Sequence, residues 1–475
     1  MTDYKCQPPR VQNVTLRWLA KVRPIKRWLC VISLSAILWG VAISGLASLS
    51  VTTSLIPPMT GNYHYNNFMP GTAGFPSVGG TYVDPVFGTT VTRLTSIGSK
   101  SSQSQIYARN GYHNSDGTKM FWWDSSTTAV INSRTGTVLH TDIPTGMSPF
   151  EISFDPVDPD VYYRFSGATL IARKLSTGVD TTVHTFPATL DSLGGSTDFI
   201  DNSGTYFVVS WGGQARIYNK SLDLVYTGAI PSDVPNNGWV GITPSGKHLV
   251  NQSTGSYPNA THYSYTIDHN AHVLKTTPVQ FVGLGGDHGD LISASNGKDY
   301  EVKFNSDNSP PGVYLWDLDV SMAGKSGPSQ VASAARALVT TSSYDDADGH
   351  LSCVSKGSNK DWCFWSSEYP GDAFNSNPQS AWSNYRQEII AMNVMTGEIR
   401  RLVHHRSRSV VKNYSYQPRI CVSWDGTVAA FASNFNNSSP SGYSDIYALI
   451  NPLAGGAQSS PSLTPPPAPG NLSIR

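Results

Sequence analysis

Two short segments each place a histidine among aspartate and glycine residues. One is Gly285–Asp290, which contains His288, and the other is Asp345–His350, which ends at His350. An imidazole gains and loses a proton close to neutral pH, so each histidine is a candidate general acid or base. Their similar settings favour a shared role. The alternative is that each is a structural hydrogen-bond partner at the start of a strand.

A third segment, Tyr414–Arg419, carries groups that could recognise charge or move a proton. The guanidinium of Arg419 can pair with a carboxylate through two hydrogen bonds. The phenol of Tyr416 can exchange a proton, and Gln417 offers an amide. An arginine in this position can equally form a salt bridge that ties structural units together, and that alternative stays open.

The sequence lacks the motifs of several other common catalytic and ligand-binding sites. It contains no nucleophile elbow, phosphate-binding loop or His-Glu-x-x-His motif. The aspartates of Asp345–Asp348 depart from the spacing of a calcium loop, which favours a role in a turn.

Seven of the 33 basic residues but one of the 33 acidic residues lie within residues 1–50, so the remainder is mildly acidic. This charge gives no support for nucleic-acid binding.

A weak repeat between residues 75 and 452 predicts the strands that position these candidate residues. Its copies recur at intervals of about 40 to 55 residues, the range of four-stranded propeller blades. Each has two apolar strands around a turn such as Asp116-Gly117 or Asp425-Gly426, where glycine supplies the positive φ of a tight hairpin. Seven copies can be counted. We therefore predict an all-β, seven-bladed β-propeller; a stack of β-sandwiches is the alternative.

The strand at residues 88–95 precedes the first copy and has no blade of its own. We predict that it is the outer strand of the last blade and closes the ring, which would remove exposed sheet edges. In such a ring the innermost strands begin around one channel. The candidate segments precede those strands in blades five, six and seven, and Tyr112 and His113 precede that of blade one. We predict Tyr112, His113 and Gln417 as substrate-binding residues.

The N-terminus predicts export. Basic residues from Lys21 to Arg27 precede the uncharged apolar run Trp28–Ser50, and small residues at Gly45–Ala47 suit a signal peptidase. The run is also long enough to remain as a membrane anchor. Either form directs the following chain outward. We divide the chain into 1–51 (basic segment with signal peptide or anchor), 52–74 (irregular lead-in), 75–452 (propeller) and 453–475 (Pro/Ser-rich tail).

The cysteines are compatible with an oxidising location. Cys353 and Cys363 flank the polar segment 354–362, which reads as a hairpin loop. Opposed residues of two antiparallel strands come within disulfide reach, so we predict a Cys353–Cys363 bridge, with two reduced thiols as the alternative. Cys421 lies in an apolar strand and is predicted to be a small core residue.

A resemblance now adds to these predictions. The strand Gln417–Gly426 resembles the last-blade motif of WD40-like (TolB-type) propellers, and particularly of oligogalacturonate-lyase-like proteins. The order of a histidine near blade five, a Gly-His pair near blade six and then this strand is also similar to that family. The similarity is a diffuse pattern that covers most of residues 80–452.

The resemblance implies polysaccharide lyase chemistry. In that family a histidine removes the proton α to a uronate carboxylate, and the following blades supply metal ligands. His288 falls at the position of the base and His350 at that of a metal ligand. The family's His-x-His pair is replaced here by Gln417-Pro418-Arg419. A divalent cation on His350 and Gln417 is therefore a weak expectation, which the guanidinium of Arg419 would oppose.

A metal-free scheme, similar to that of ulvan-lyase-type propellers, gives the candidate residues other roles. Arg419 would neutralise the sugar carboxylate, and His288 or Tyr416 would take the α proton while the other donates to the leaving oxygen. We predict His288, His350, Tyr416 and Arg419 as catalytic residues. Four aromatic residues of blade six could stack on sugars or cap the core: Trp365, Tyr369, Trp382 and Tyr385.

Two functions therefore remain open at this point. One is an extracytoplasmic polysaccharide lyase acting on an acidic polysaccharide or oligosaccharide. The other is a non-catalytic propeller that binds glycan or protein at the cell envelope, because a fold by itself implies no function. In both cases membrane contact is expected only through the N-terminal segment, and no nucleic acid is expected as a partner.

Overall fold

The computed structural model describes most of the chain between residues 70 and 454. The described ranges are 70–84, 87–96, 107–123, 127–195, 198–232, 234, 238–253, 261–282, 288–305, 310–325, 335–341, 348–368, 385–407, 417–435 and 444–454. The predicted leader (1–51), most of the lead-in and all but the first residues of the tail lie outside these ranges. Within them, no helix has both the length and the hydropathy needed to span a bilayer.

The described strands form seven antiparallel sheets, and the chain is an all-β seven-bladed propeller. Two strands precede the first blade: β1 (Thr81–Val83) and β2 (Thr90–Arg93). Blade 1 contains β3 (Lys119–Trp123), β4 (Thr128–Asn132) and β5 (Val138–His140). Blade 2 contains β6 (Ile152–Phe154), β7 (Val161–Ser166), β8 (Thr169–Lys174) and β9 (Val179–Thr185). Blade 3 contains β10 (Tyr206–Trp211), β11 (Gln214–Asn219), β12 (Leu224–Val225) and β13 (Ile230–Pro231).

The remaining blades follow in chain order. Blade 4 contains β14 (Val240–Ile242), β15 (His248–Ser253), β16 (Thr261–Asp268), β17 (Val273–Leu274) and β18 (Val279–Val282). Blade 5 contains β19 (Gly289–Ser293), β20 (Asp299–Asn305), β21 (Gly312–Asp317) and β22 (Arg336–Thr340). Blade 6 contains β23 (Asp348–Cys353), β24 (Trp362–Glu368), β25 (Glu388–Asn393) and β26 (Ile399–His404). Blade 7 contains β27 (Cys421–Val422), β28 (Val428–Ser433) and β29 (Asp445–Ile450).

The outer side of blade 7 pairs with the N-terminal strands. β2 lies antiparallel to β29, with Val91 opposite Leu449, and β1 pairs with β2 in turn. The buried guanidinium of Arg93 also donates to the carboxylate of Asp445 at 2.6 Å. Short 3₁₀ helices, the helices that the described ranges contain, occur at Asn110–Tyr112, Pro149–Glu151 and Gly357–Asn359.

Aspartate-glycine turns shape the inner hairpins as the sequence predicts. Gly117 and Gly426 have φ values of +66° and +71°, in the left-handed region that glycine enters without steric cost. The preceding aspartates hold the turn. The Asp116 carboxylate accepts from the Thr118 amide at 3.0 Å, and the Asp425 carboxylate accepts from the Thr427 amide at 3.0 Å.

Apolar side chains fill the spaces between neighbouring sheets. One buried cluster joins Val302 and Phe304 of blade 5 to Leu351 and Trp365 of blade 6. Because both faces of an inner sheet are covered by its neighbours, a strand such as β28 is buried at every position. This arrangement accounts for the apolar strands of the sequence repeat.

Polar contacts join the innermost strands around the channel. The Cys353 amide donates to the Asp290 carboxylate at 2.6 Å, which links blades 5 and 6. The Val422 amide of blade 7 donates to Ser352 of blade 6 at 3.1 Å, and the Asn110 side chain of blade 1 donates to the Val422 carbonyl at 3.1 Å. Each contact fixes one blade against its neighbour near the channel.

The Cys353–Cys363 disulfide is confirmed. The two residues lie directly opposite each other on β23 and β24, with a Cα–Cα distance of 3.9 Å. Both are fully buried. The free thiol of Cys421 is also buried, as expected for a core residue, and donates to the Arg109 carbonyl at 2.8 Å.

Candidate functional site

His288 and His350 meet at the junction of blades 5 and 6. Their rings stack with centroids 4.2 Å apart and planes inclined by 24°. The Nδ1 atom of His288 lies 2.7 Å from the carbonyl oxygen of Gly349, so Nδ1 carries a proton and donates it to this oxygen. Both residues precede or begin an inner strand, which is why residues distant in sequence come together here.

Glu368 completes this cluster. It lies at the end of β24, and its carboxylate accepts a hydrogen bond from Nδ1 of His350 at 2.7 Å. The side chains of His350 and Glu368 are only 1% and 10% exposed, so water screens the interaction weakly. A carboxylate in this position fixes the tautomer and the orientation of the imidazole. His350 therefore has the arrangement of a proton carrier with a fixed orientation.

Tyr107 brings a ring from blade 1 to the same cluster. It packs edge to face against His350 with a centroid distance of 5.3 Å and against Phe150 of blade 2 at 6.4 Å. Because blade 7 lies between blades 6 and 1 in the chain order, this contact extends across the mouth of the channel. Tyr107 is half-buried and retains surface toward solvent.

The blade 7 segment lies next to blade 6, but its groups are enclosed. The Ile420 amide donates to the hydroxyl of Ser366 at 3.2 Å, and β24 aligns Ser366 directly opposite His350. Arg419 immediately precedes Ile420, is 3% exposed and has a φ of +42°. Gln417 is half-buried, and Tyr416 lies outside the described residues.

Tyr112 and His113, predicted to bind substrate, lie inside blade 1. Both are fully buried, and the Tyr112 hydroxyl donates to the Phe150 carbonyl at 3.3 Å. Burial raises the pKa of Tyr112 above its usual value. Burial lowers the pKa of His113 to about 4, so its ring is neutral at physiological pH. Their proposed contact with substrate stays a prediction, and in this conformation both side chains support the blade.

Two carboxylates lie deeper in the channel. Burial raises the pKa of Asp290 well above its usual value, and the negative charge of Asp198 adds to this effect. The pKa of Asp198 is also raised by burial, although the nearby charge of Arg109 and the amide of Gly111 oppose the shift. Both carboxylates line one small cavity to which blades 3, 4, 5 and 7 contribute. This cavity therefore holds two buried carboxylates among mostly apolar side chains.

The described residues around His350 do not fit a metal ion. The rings of His288 and His350 are almost parallel, so their in-plane nitrogen lone pairs do not converge on one point. Nδ1 of His350 is engaged by Glu368, so this histidine would present only Nε2 to a cation. In the described part of the chain, no three His, Cys, Asp or Glu side chains form a set suited to a metal. We derive no step through a cation, and ligation by His350 and Gln417 stays a prediction.

The aromatic residues expected near a sugar divide between the core and undescribed segments. Trp365 is fully buried and Tyr385 is 9% exposed, and their rings lie 6.2 Å apart in the core between blades 5 and 6. Capping of the core therefore accounts for both. Tyr369 and Trp382 lie outside the described residues.

Comparison with solved structures finds the same architecture in oligogalacturonate lyases. The enzyme from Vibrio parahaemolyticus aligns with a TM-score of 0.51 and 11% identity, over 78% of this chain and 96% of that chain. An oligogalacturonate lyase in complex with manganese aligns with a TM-score of 0.50 and 14% identity, over 79% of this chain and 97% of that chain. The β-propeller domain of Cps50 (Swd1) from Myceliophteria thermophila aligns with a TM-score of 0.41 and 12% identity, over 75% of this chain and 99% of that chain.

The two oligogalacturonate lyases confirm the predicted resemblance to oligogalacturonate-lyase propellers at the level of the fold. No protein-family model and no curated protein matches the sequence. At identities of 11–14% the alignments carry no activity across to this chain. Function has to be argued from the site itself.

Proposed function

We propose that this chain is an extracytoplasmic carbohydrate-active propeller that cleaves uronate-containing glycans by β-elimination. The observation that carries the proposal is the cluster of His288, His350 and Glu368 at the mouth of the channel. It combines an imidazole held at Nδ1 by a backbone carbonyl and an imidazole held at Nδ1 by a carboxylate. Two titratable groups with different environments, side by side, are what acid-base catalysis requires.

The elimination needs a base, an acid and a group that neutralises the uronate carboxylate. His288 or Tyr416 removes the proton on the carbon next to the uronate carboxylate, and the electron pair forms a carbon-carbon double bond. The bond to the glycosidic oxygen breaks, and that oxygen takes a proton from the other of these two residues or from His350. Arg419 pairs with the uronate carboxylate and stabilises the charge that develops as the proton leaves.

A second candidate function is non-catalytic binding of glycan or protein at the cell envelope. The observation that favours it is burial. His350 is 1% exposed and Arg419 is 3% exposed, so a substrate can reach little of either side chain in this conformation. A structural role for both residues between blades would explain that burial without catalysis.

Export and ring closure belong to the same proposal. The basic and apolar leader supports delivery of the propeller to the outside of the cytoplasm, as a cleaved signal or as an anchor. The pairing of β2 with β29 supports closure of the ring by residues 88–95. In both functions the expected partner is an acidic polysaccharide, with envelope proteins as the alternative.

The decisive experiment incubates the purified protein with a panel of uronate-containing polysaccharides and follows the absorbance of the unsaturated product. Each reaction is run with manganese and with EDTA, which tests the weak expectation of a divalent cation. Product formation that is lost in His288→Ala supports the lyase. His184→Ala is the matched control, because His184 lies on the outer strand of blade 2, where it pairs with Asp223. Binding without product across the panel supports the second function.

A further inference from the structure

Three half-buried aromatic rings lead away from the histidine cluster. Tyr107 contacts His350 at 5.3 Å and Phe150 at 6.4 Å between ring centroids. Phe150 in turn contacts Trp123 at 5.8 Å, with planes inclined by 63°. We call Tyr107, Phe150 and Trp123 the aromatic row. It begins at the proposed reaction centre and runs across blades 1 and 2.

Two members of the row lie within regular elements, and Tyr107 lies three residues before one. Tyr107 precedes the 3₁₀ helix Asn110–Tyr112, Phe150 lies in the 3₁₀ helix Pro149–Glu151, and Trp123 ends β3. The Ser148 hydroxyl accepts from the Phe150 amide at 3.1 Å, which fixes the start of its helix. Rings fixed in this way lose little conformational entropy when a ligand binds.

The aromatic row lies outside the hydrophobic core on which it packs. Phe121 and Phe154 stack at 4.2 Å between centroids, and both are fully buried. The three rings of the row pack against this cluster from outside and keep solvent-exposed surface. They therefore already have an apolar support on one side and offer surface on the other.

Trp211 provides a contrast within the same molecule. It ends β10, the strand of blade 3 that corresponds to β3 of blade 1, and it is also half-buried. Its indole is covered by the guanidinium of Arg216, 3.9 Å from the ring centroid. In the part of the chain that the structure describes, no cation covers Trp123. Among the described residues, the two equivalent tryptophans thus differ in whether a cationic side chain covers the ring.

We propose that the aromatic row binds successive sugar units of a linear glycan whose reacting uronate lies at His288 and His350. This inference rests on the proposed function and names the subsites that extend it. The C–H faces of pyranose rings pack against aromatic faces, while their hydroxyls stay in water. A row that starts at His350 and continues for three rings selects a chain rather than a single sugar.

The test measures how affinity depends on glycan length. Oligogalacturonides from dimer to hexamer are titrated calorimetrically, in a His288→Ala background so that the probe is not consumed. We expect Trp123→Ala to lower the affinity for the hexamer about ten-fold and to leave the dimer unchanged, because one stacked ring contributes roughly that factor. Trp211→Ala is the matched control and changes neither affinity.

Thermal unfolding of each variant separates lost binding from lost structure. Trp123→Phe keeps a ring and should restore most of the hexamer affinity, whereas Trp123→Leu keeps apolar volume without a ring and should not. If the Trp123 variants show the same length dependence as Trp211→Ala, the inference is overturned and the proposed function stands. If the wild-type protein neither cleaves nor binds any of these probes, both fail together.

Discussion

The rings of His288 and His350 stack with their centroids 4.2 Å apart. A hydrogen bond between His288 and the Gly349 carbonyl, 61 positions apart in the sequence, anchors this contact. Two imidazolium charges at this distance would repel each other by about 4 kcal/mol at an effective dielectric constant of 20. Double protonation is therefore disfavoured. In the proposed mechanism the Glu368 carboxylate would favour the proton on His350 and leave His288 to act as the base.

Replacing Glu368 tests this division of roles. We expect Glu368→Gln to lower kcat at least ten-fold, on the order of a general-acid contribution, with little change in KM. The amide keeps an acceptor for Nδ1 of His350 but removes the charge that favours its protonated form. The measurement is kcat as a function of pH, whose basic limb should shift to lower pH because His350, as the acid, would lose its proton more readily. Glu398→Gln, in the same blade and paired with Arg400, is the control; equal losses in both variants would argue against a role for Glu368.

Arg419 is expected to recognise the uronate carboxylate. Arg419→Lys retains the charge but cannot form two parallel hydrogen bonds, so binding of an acidic oligosaccharide should weaken about ten-fold. Binding of a carboxyl-reduced, neutral oligosaccharide should not change. Calorimetric titration of both sugars into both proteins checks this. A salt-bridge role alone would instead lower the melting temperature and leave the preference for the acidic sugar intact.

The disulfide is expected to contribute to stability. It closes a loop with a sequence separation of 10, for which the chain-entropy relation gives about 3 kcal/mol. The Cys353→Ala/Cys363→Ala double variant should therefore melt at a lower temperature than the wild type. Dithiothreitol should lower the melting temperature of the wild type toward that of the variant and leave the variant unchanged. A reductant effect of equal size in both proteins would contradict this assignment.

Much of the fold follows from the sequence because it depends on local signals that repeat. The Asp-Gly turns and the apolar strands of each copy predict the hairpins, and the number of copies predicts the blades. The proximity of His288 and His350 could also be predicted, since His288 precedes the inner strand β19 and His350 lies in the first half of the inner strand β23. The burial of Tyr112 and His113 could not, because it depends on how blade 1 packs against blades 2 and 7.

Glu368 was missed, although the sequence contained a signal for it. If Cys353 and Cys363 are directly opposed, counting back along the two strands places His350 opposite Ser366, and Glu368 is then a diagonal neighbour of His350. The disulfide prediction thus already fixed the register. Tyr107 had no such signal, because its contact with His350 crosses the channel and requires the closed geometry of the ring.

His113 predicts a pH dependence of stability. The folded state holds its pKa at about 4 through burial, whereas the unfolded chain titrates near 6.5. Between these values the unfolded state binds more protons, so stability is fully present above pH 6.5 and falls as the pH is lowered toward 4, by up to about 3 kcal/mol. His113→Gln should flatten this part of a melting-temperature profile. The same slope in wild type and variant would show that other groups, such as the buried His405, dominate.

A buried charged chain joins blades 4 and 5. The Lys303 ammonium donates to Nε2 of His262 at 2.9 Å, and Nδ1 of His262 donates to the Glu301 carboxylate at 2.7 Å. All three side chains are fully buried. Removing one charge leaves the other uncompensated in a low dielectric, so Glu301→Gln should destabilise the propeller by about 3–5 kcal/mol.

The double variant Glu301→Gln/Lys303→Met separates charge from packing. It removes both charges and keeps similar side-chain volumes, so it should be more stable than Glu301→Gln alone, because no unpaired charge remains buried. The melting temperatures of the wild type, Glu301→Gln, Lys303→Met and the double variant form a thermodynamic cycle. Strictly additive losses in that cycle would mean that the two charges do not interact through His262, and the network would then be a set of independent packing contacts.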